Sequence, residues 1–275
     1  MFVDFKSGTI KVLIGTLTAV GIMLIGSYYY YDKINSTEDP RVLKAKQLLL
    51  QYEKGLKSDQ YVQAFSLLET ILSIYKNTPG YADSYEVGVV LNNQASVHLV
   101  KLETDLLVQN QETINKEDMI KTLKAAMVLT KDSIEVYRNW MDSMGKLTEK
   151  EIRIHLGKSF DPEDMAFENV DFEAVFEKRV EDIKLAQIET ERRLSVSLTN
   201  LGVINRYLGN LEEAKGNYEQ ALLLWDRNYT AKNNLNILMN RPLEKRSLID
   251  RLFPPERLQD LRDELKIKKP EGNFN

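Results

Sequence analysis

Apolar residues follow two patterns along this chain: one unbroken run near the start and, beyond it, sets spaced three and four apart. Val12 to Tyr31 reads VLIGTLTAVGIMLIGSYYYY, twenty residues without a charge between Lys11 and Asp32. At the rise of an α-helix the run covers about 30 Å, the thickness of a bilayer's hydrocarbon core. The tyrosines at its end suit the membrane–water interface, where ring and hydroxyl are both satisfied. The pattern predicts a membrane-spanning helix over 12–31, with 1–11 as a short tail and 32–40 as a polar linker. A cleaved signal peptide is the competing reading. Lys6 and Lys11 precede the run, but the small residues preferred at a cleavage site are represented there only by Gly26 and Ser27.

Past the linker the spacing turns helical. Pro40 suits a first helical turn with Asp39 as its N-cap, and Val42, Ala45, Leu48, Leu49 and Tyr52 make one apolar face. Gly55 to Asp59 ends this helix, and a second runs from about Gln60 to Tyr75, carrying Ala64, Phe65, Leu68, Ile71 and Leu72. Asn77-Thr78-Pro79-Gly80 is a breaker. A third helix is expected over Asp83–Leu107, a fourth over Lys116–Met144 and an extended one over Val170–Leu208, after a short helix started by Asp161-Pro162-Glu163-Asp164. Leu258, Leu261 and Leu265 give the tail, 240–275, one short amphipathic helix.

The clearest local pattern is SVSLTNLGVINRYLGNLEEAKGNYEQALLLWDRNYTAKNNLNIL at 195–238. It resembles the tetratricopeptide repeat, a helix–turn–helix unit of about 34 residues. Leu201-Gly202 matches the family's Leu-Gly pair, Gly209-Asn210 its turn, Ala214 and Ala221 its small residues and Tyr218 its aromatic. The chain departs from the pattern at Leu198, Asn205 and Asp226, where Trp, Tyr and Pro are preferred. Asn234-Leu235 repeats Asn200-Leu201 one period on, so 195–228 is the clearest repeat and 229–239 reads as a cap helix. Ala64, Asn93 and Ala95 align more loosely with Ala214, Asn200 and Gly202. The resemblance implies an all-α architecture: an N-terminal transmembrane helix followed by a tetratricopeptide-like α-solenoid over 41–239. It also implies a binding groove lined by the first helix of each pair, with Asn93, Asn200, Arg206 and Asn234 as groove candidates. Residues that tie neighbouring helices together occupy such positions equally well. Thr199 stands at one place where members that clamp a chaperone's C-terminal tail use Lys, which argues against that activity here.

Composition narrows the chemistry. With no cysteine among 275 residues, disulfides, thiolate zinc sites and cysteine nucleophiles are excluded. A net charge of −4 gives no basic footprint for nucleic acid, and His98 and His155 are too few for a histidine metal site. Gly157-Lys158-Ser159 resembles the end of a phosphate-binding loop, but Ile152 stands where its first glycine is required. Asn35-Ser36-Thr37 and Asn228-Tyr229-Thr230 fit the glycosylation acceptor pattern. No catalytic constellation, metal site or cofactor is expected. The expected function is therefore an adaptor or scaffold that binds other proteins within a membrane assembly, held to the bilayer by 12–31. Charges flanking that run divide on orientation. Because large C-terminal domains translocate regardless of them, the bulk is expected outside the cytoplasm, on the periplasmic side in a bacterium. The alternatives are a soluble secreted or periplasmic binding protein after cleavage, and an enzyme with its site in 109–190.

Overall fold

The computed structural model describes residues 37–108 and 115–244, so the apolar run at 12–31, the Asn35 sequon and the tail helix at 258–265 lie outside the described residues. The described chain is all-α, with eight α-helices and no strand. They are α1 (Leu43–Lys57), α2 (Tyr61–Asn77), α3 (Tyr85–Val108), α4 (Lys116–Met144), α5 (Glu149–Leu156), α6 (Phe172–Tyr207), α7 (Leu211–Leu224) and α8 (Tyr229–Leu238), with a 3-10 turn at Met165–Phe167 before α6. Among the described residues no helix is long and apolar enough to cross a membrane.

Successive helices pack as neighbours: α1 on α2, α2 on α3, α3 on α4, α6 on α7 and α7 on α8. The one large jump takes α6 back against α4 and α3. Four of the eight helix starts are set by polar caps that satisfy amide groups left free in a first turn. Asn115 caps α4, Thr148 and Glu151 form a capping box on α5, Asp171 caps α6 and Asn228 caps α8. At α1 the expectation was wrong. The helix begins at Leu43 with Val42 as its N-cap, while the Asp39 carboxylate accepts from the Arg41 amide at 2.9 Å in the turn before it. Asp39 is diverted because its carboxylate also pairs with the Arg41 guanidinium, which lies over the Phe160 and Phe167 rings and donates to the Ser159 carbonyl at 3.0 Å. That clip joins the beginning of the domain to the segment after α5.

The 36-residue α6, about 54 Å long, is shared by two parts of the core. Its first half places Val175, Val180 and Ile183 in one cluster with Ala45, Leu68 and Ile71 of α1 and α2 and with Ile152, Leu156, Phe160 and Phe167. Its second half packs Leu194, Leu198 and Leu201 on Ile134 and Tyr137 of α4 and on Ala221 and Ala231. Helices meet closely at two glycine–tyrosine contacts. A Cβ on Gly88 would stand 2.7 Å from the Tyr137 ring, and one on Gly202 would overlap Tyr218. Both tyrosines are fully buried, and burial pushes the Tyr218 phenol up to about 12.

Candidate functional site

The groove candidates do not share one open surface. Asn200 donates to the Asn92 side-chain oxygen at 3.0 Å and to the Ser96 hydroxyl at 3.1 Å, both on α3. Ser197 also donates to Asn92 at 2.9 Å, and its hydroxyl lies 3.1 Å from that of Ser133 on α4. Asn200 therefore belongs to a polar layer that locks α3, α4 and α6 in register. Arg206 donates to the Asn234 side chain at 2.8 Å, joining α6 to α8. Asn93 is half-buried on α3 and, among the described residues, has no such tie. Three of the four positions thus hold helices together. A side-chain amide spanning two helices satisfies a buried donor and acceptor that would otherwise each cost about 1–3 kcal/mol.

An open groove lies instead between α4 and α7, with α6 as its floor. Two adjoining depressions of about 510 and 520 Å³ share Lys131, Leu201, Asn217 and Gln220. The floor is mostly apolar: Leu198, Leu201 and Ile134 are buried there with one polar residue, Asn205, and Met127 is half-buried. The walls carry side-chain amides, Asn139 from α4 and Asn217 and Gln220 from α7, with Asn210 at one end. Lys131 and Arg138 are balanced by Glu135 and Glu213 along the same walls. An amide offers donors and an acceptor at once, the pattern that pairs with a peptide main chain.

Gly216 lines this groove in the middle of α7. Glycine inside a helix costs about 1 kcal/mol relative to alanine. At Gly202 close packing accounts for that cost, whereas a Cβ on Gly216 would meet nothing within 4 Å. Among the described residues, packing gives no reason for glycine at 216. What it does create is a smooth stretch of helix backbone facing the open groove. The sequence signal was present, an interior helix glycine two residues after Ala214, but spacing alone does not say which glycine faces a neighbour.

Two other sequence motifs are taken up by the fold. The Gly157, Lys158 and Ser159 amides donate to the carbonyls of Arg153, His155 and Leu156 at 3.0, 3.3 and 2.9 Å. They close α5 and cannot cradle a phosphate. Asn228 is buried, its amide donating to Ser195 and Thr199 at 2.8 and 2.9 Å while its oxygen caps Ala231, so the folded chain offers no glycan acceptor there. Among the described residues no cluster of three or more potential metal ligands occurs. Compared with models of protein families and with characterised proteins, the chain matches none.

Proposed function

We propose that the protein is a membrane-anchored adaptor of tetratricopeptide type that receives a segment of a partner protein in the groove between α4 and α7. The observation that carries this reading is the unpacked Gly216 beside Asn217 and Gln220, over the floor of Leu198 and Leu201. A partner main chain can approach α7 at the glycine and bond the amides, while an apolar side chain reaches the floor. Resemblance over 195–238 supports the family assignment, as does the Gly202–Tyr218 contact between the paired helices. The uncharged run 12–31 supports the anchor, which would raise local concentration beside membrane partners.

The test is site-specific photocrosslinking in native membranes, with the photoreactive residue placed at Lys131 or Asn217 and, as a control, at exposed Glu163. A defined partner adduct is expected from the two groove positions only. It should disappear on Gly216→Leu, and also when residues 1–31 are removed. Equal adducts from Glu163, or an adduct indifferent to Gly216→Leu, would reject the groove. Persistence without residues 1–31 would reject the role of the anchor.

A further inference from the structure

One side of α1 belongs to the core and the other is open. Ala45, Leu48, Leu49 and Tyr52 lie in the cluster shared with α2 and the first half of α6. Leu43, Gln47, Leu50, Lys54 and Lys57 are all exposed, at intervals of four, three, four and three residues. That spacing lines them up along the opposite side of the helix, in a stripe about 21 Å long. Leu50 is 62% exposed. Lone surface leucines are ordinary, and Lys54 and Lys57 suit the C-terminal end of a helix. Neither rule accounts for two leucines and two lysines in one file. Among the described residues neither lysine has an ion-pair partner, whereas Lys46, on the flank, is taken by Glu38. The one carboxylate of α1, Glu53, stands about a quarter-turn from the stripe.

What this face meets follows from where α1 is tied. Only residues 32–36 separate the uncharged run 12–31 from Thr37, the first described residue. Six peptide steps reach about 20 Å at most, and the clip of Arg41 to Asp39 and Ser159 then fixes the entry into α1. With the run in a bilayer, α1 begins beside the headgroups. Two elements adjoin this entry point. Residues 161–173 carry six carboxylates and no lysine or arginine, so an anionic surface repels them. Outward-facing leucines and lysines on α1 are the combination found on helices that lie in a membrane interface.

We propose that the outer face of α1 lies on the membrane surface and binds its anionic lipid headgroups. Leu43 and Leu50 enter between headgroups, and Lys54 and Lys57, with exposed Lys44 alongside, face the negative charge. A single anchor and five linking residues leave the domain free to swivel. Contact along α1 removes that freedom and gives the α4–α7 groove a set orientation to the bilayer. The inference rests on the anchor part of the function proposed above, not on the groove.

The test uses the full chain in lipid vesicles. Because the chain has no cysteine, Gln47→Cys gives a single labelling position on the stripe, and Leu223→Cys, 88% exposed on α7, is the control. Each carries a fluorophore, and the vesicles carry a headgroup nitroxide lipid as quencher. Quenching at 47 but not at 223 is expected in vesicles containing phosphatidylglycerol. It should weaken in phosphatidylcholine alone and at high salt. Each lysine near an anionic surface is worth about fivefold in binding, so Lys54→Gln with Lys57→Gln should lower the docked-to-undocked ratio about 25-fold. All the substituted positions are exposed, so folding is not at stake. Resistance to alkaline extraction reads the anchor separately. A chain that stays in the vesicles with position 47 unquenched overturns the proposal, leaves the anchor standing and gives the stripe to a protein partner. Equal quenching with and without phosphatidylglycerol, or quenching indifferent to the lysine pair, also overturns it. A chain released at alkaline pH loses the anchor and this inference with it.

Discussion

Gly202 and Gly216 sit in paired helices, and the structure assigns opposite signs to the same substitution at the two sites. Alanine at either position removes the glycine penalty inside a helix, a gain of about 1 kcal/mol. At 216 nothing lies within 4 Å of the new methyl group, so the gain should be realised in full. At 202 the methyl group overlaps Tyr218, which is fully buried and cannot retreat without shifting α7 against α6. Overpacking of this kind costs about 1–3 kcal/mol, so the net effect is a loss of up to about 2 kcal/mol. For a domain of this size 1 kcal/mol moves the melting temperature by about 2–4 °C. Gly216→Ala should therefore melt about 2–4 °C above the parent chain, and Gly202→Ala as much as about 8 °C below it. Thermal unfolding followed by far-ultraviolet circular dichroism, with urea titration as a check, reads both. If Gly202→Ala is stabilised as Gly216→Ala is, close approach is not what holds this hairpin. Stabilised Gly216→Ala should still give fewer photocrosslinks to the partner; an undiminished adduct would separate Gly216 from recognition.

Other expectations follow from the buried polar contacts. Asn228→Ala removes the cap of α8 and leaves Ser195 and Thr199 without its amide, and should cost about 2–4 kcal/mol by urea denaturation; a loss under 1 kcal/mol would mean the layer re-forms without it. Arg179→Met strands the Glu86 carboxylate and should destabilise by about 3–5 kcal/mol, with much of the loss recovered by adding Glu86→Gln; a double variant no better than the single one would refute the pairing. Burial alone would raise the Glu86 pKa, but Arg179 lowers it below its ordinary value. Its contribution is then present above the unfolded-state value of about 4.3 and is lost as pH falls through the lower folded value. The stability gap between the parent chain and Glu86→Gln should accordingly be widest near neutral pH and close in acid, and a gap that is constant down to pH 2 would contradict this. Asn217→Ala with Gln220→Ala should lower partner crosslinking without moving the melting temperature by more than about 2 °C, since Gln220 is exposed and Asn217 only half-buried.

Much of the helix plan was legible in the sequence because helical periodicity is local. Apolar positions three and four apart identify a helix and its buried stripe without reference to anything distant. Lys116–Met144 and the long helix ending at Tyr207 were readable for that reason, as was the hairpin in which Gly202 meets Tyr218 and the small residues Ala214 and Ala221 are buried. Which stripes meet is a different question. The contact of Gly88 with Tyr137 repeats the Gly202–Tyr218 device between residues far apart in the chain, and no spacing rule announces it. Ser133, Ser197, Asn92 and Asn200 are ordinary polar residues on their own helices, and only the return of α6 onto α3 and α4 makes them one buried layer. The same return left the α4–α7 groove open, committed Asn200 to structure and brought Arg179 to Glu86 and Tyr81. A sequence records the faces each helix offers. Pairing among them is decided by the total apolar area and hydrogen bonding satisfied across the whole chain, a sum that exists only in the folded molecule.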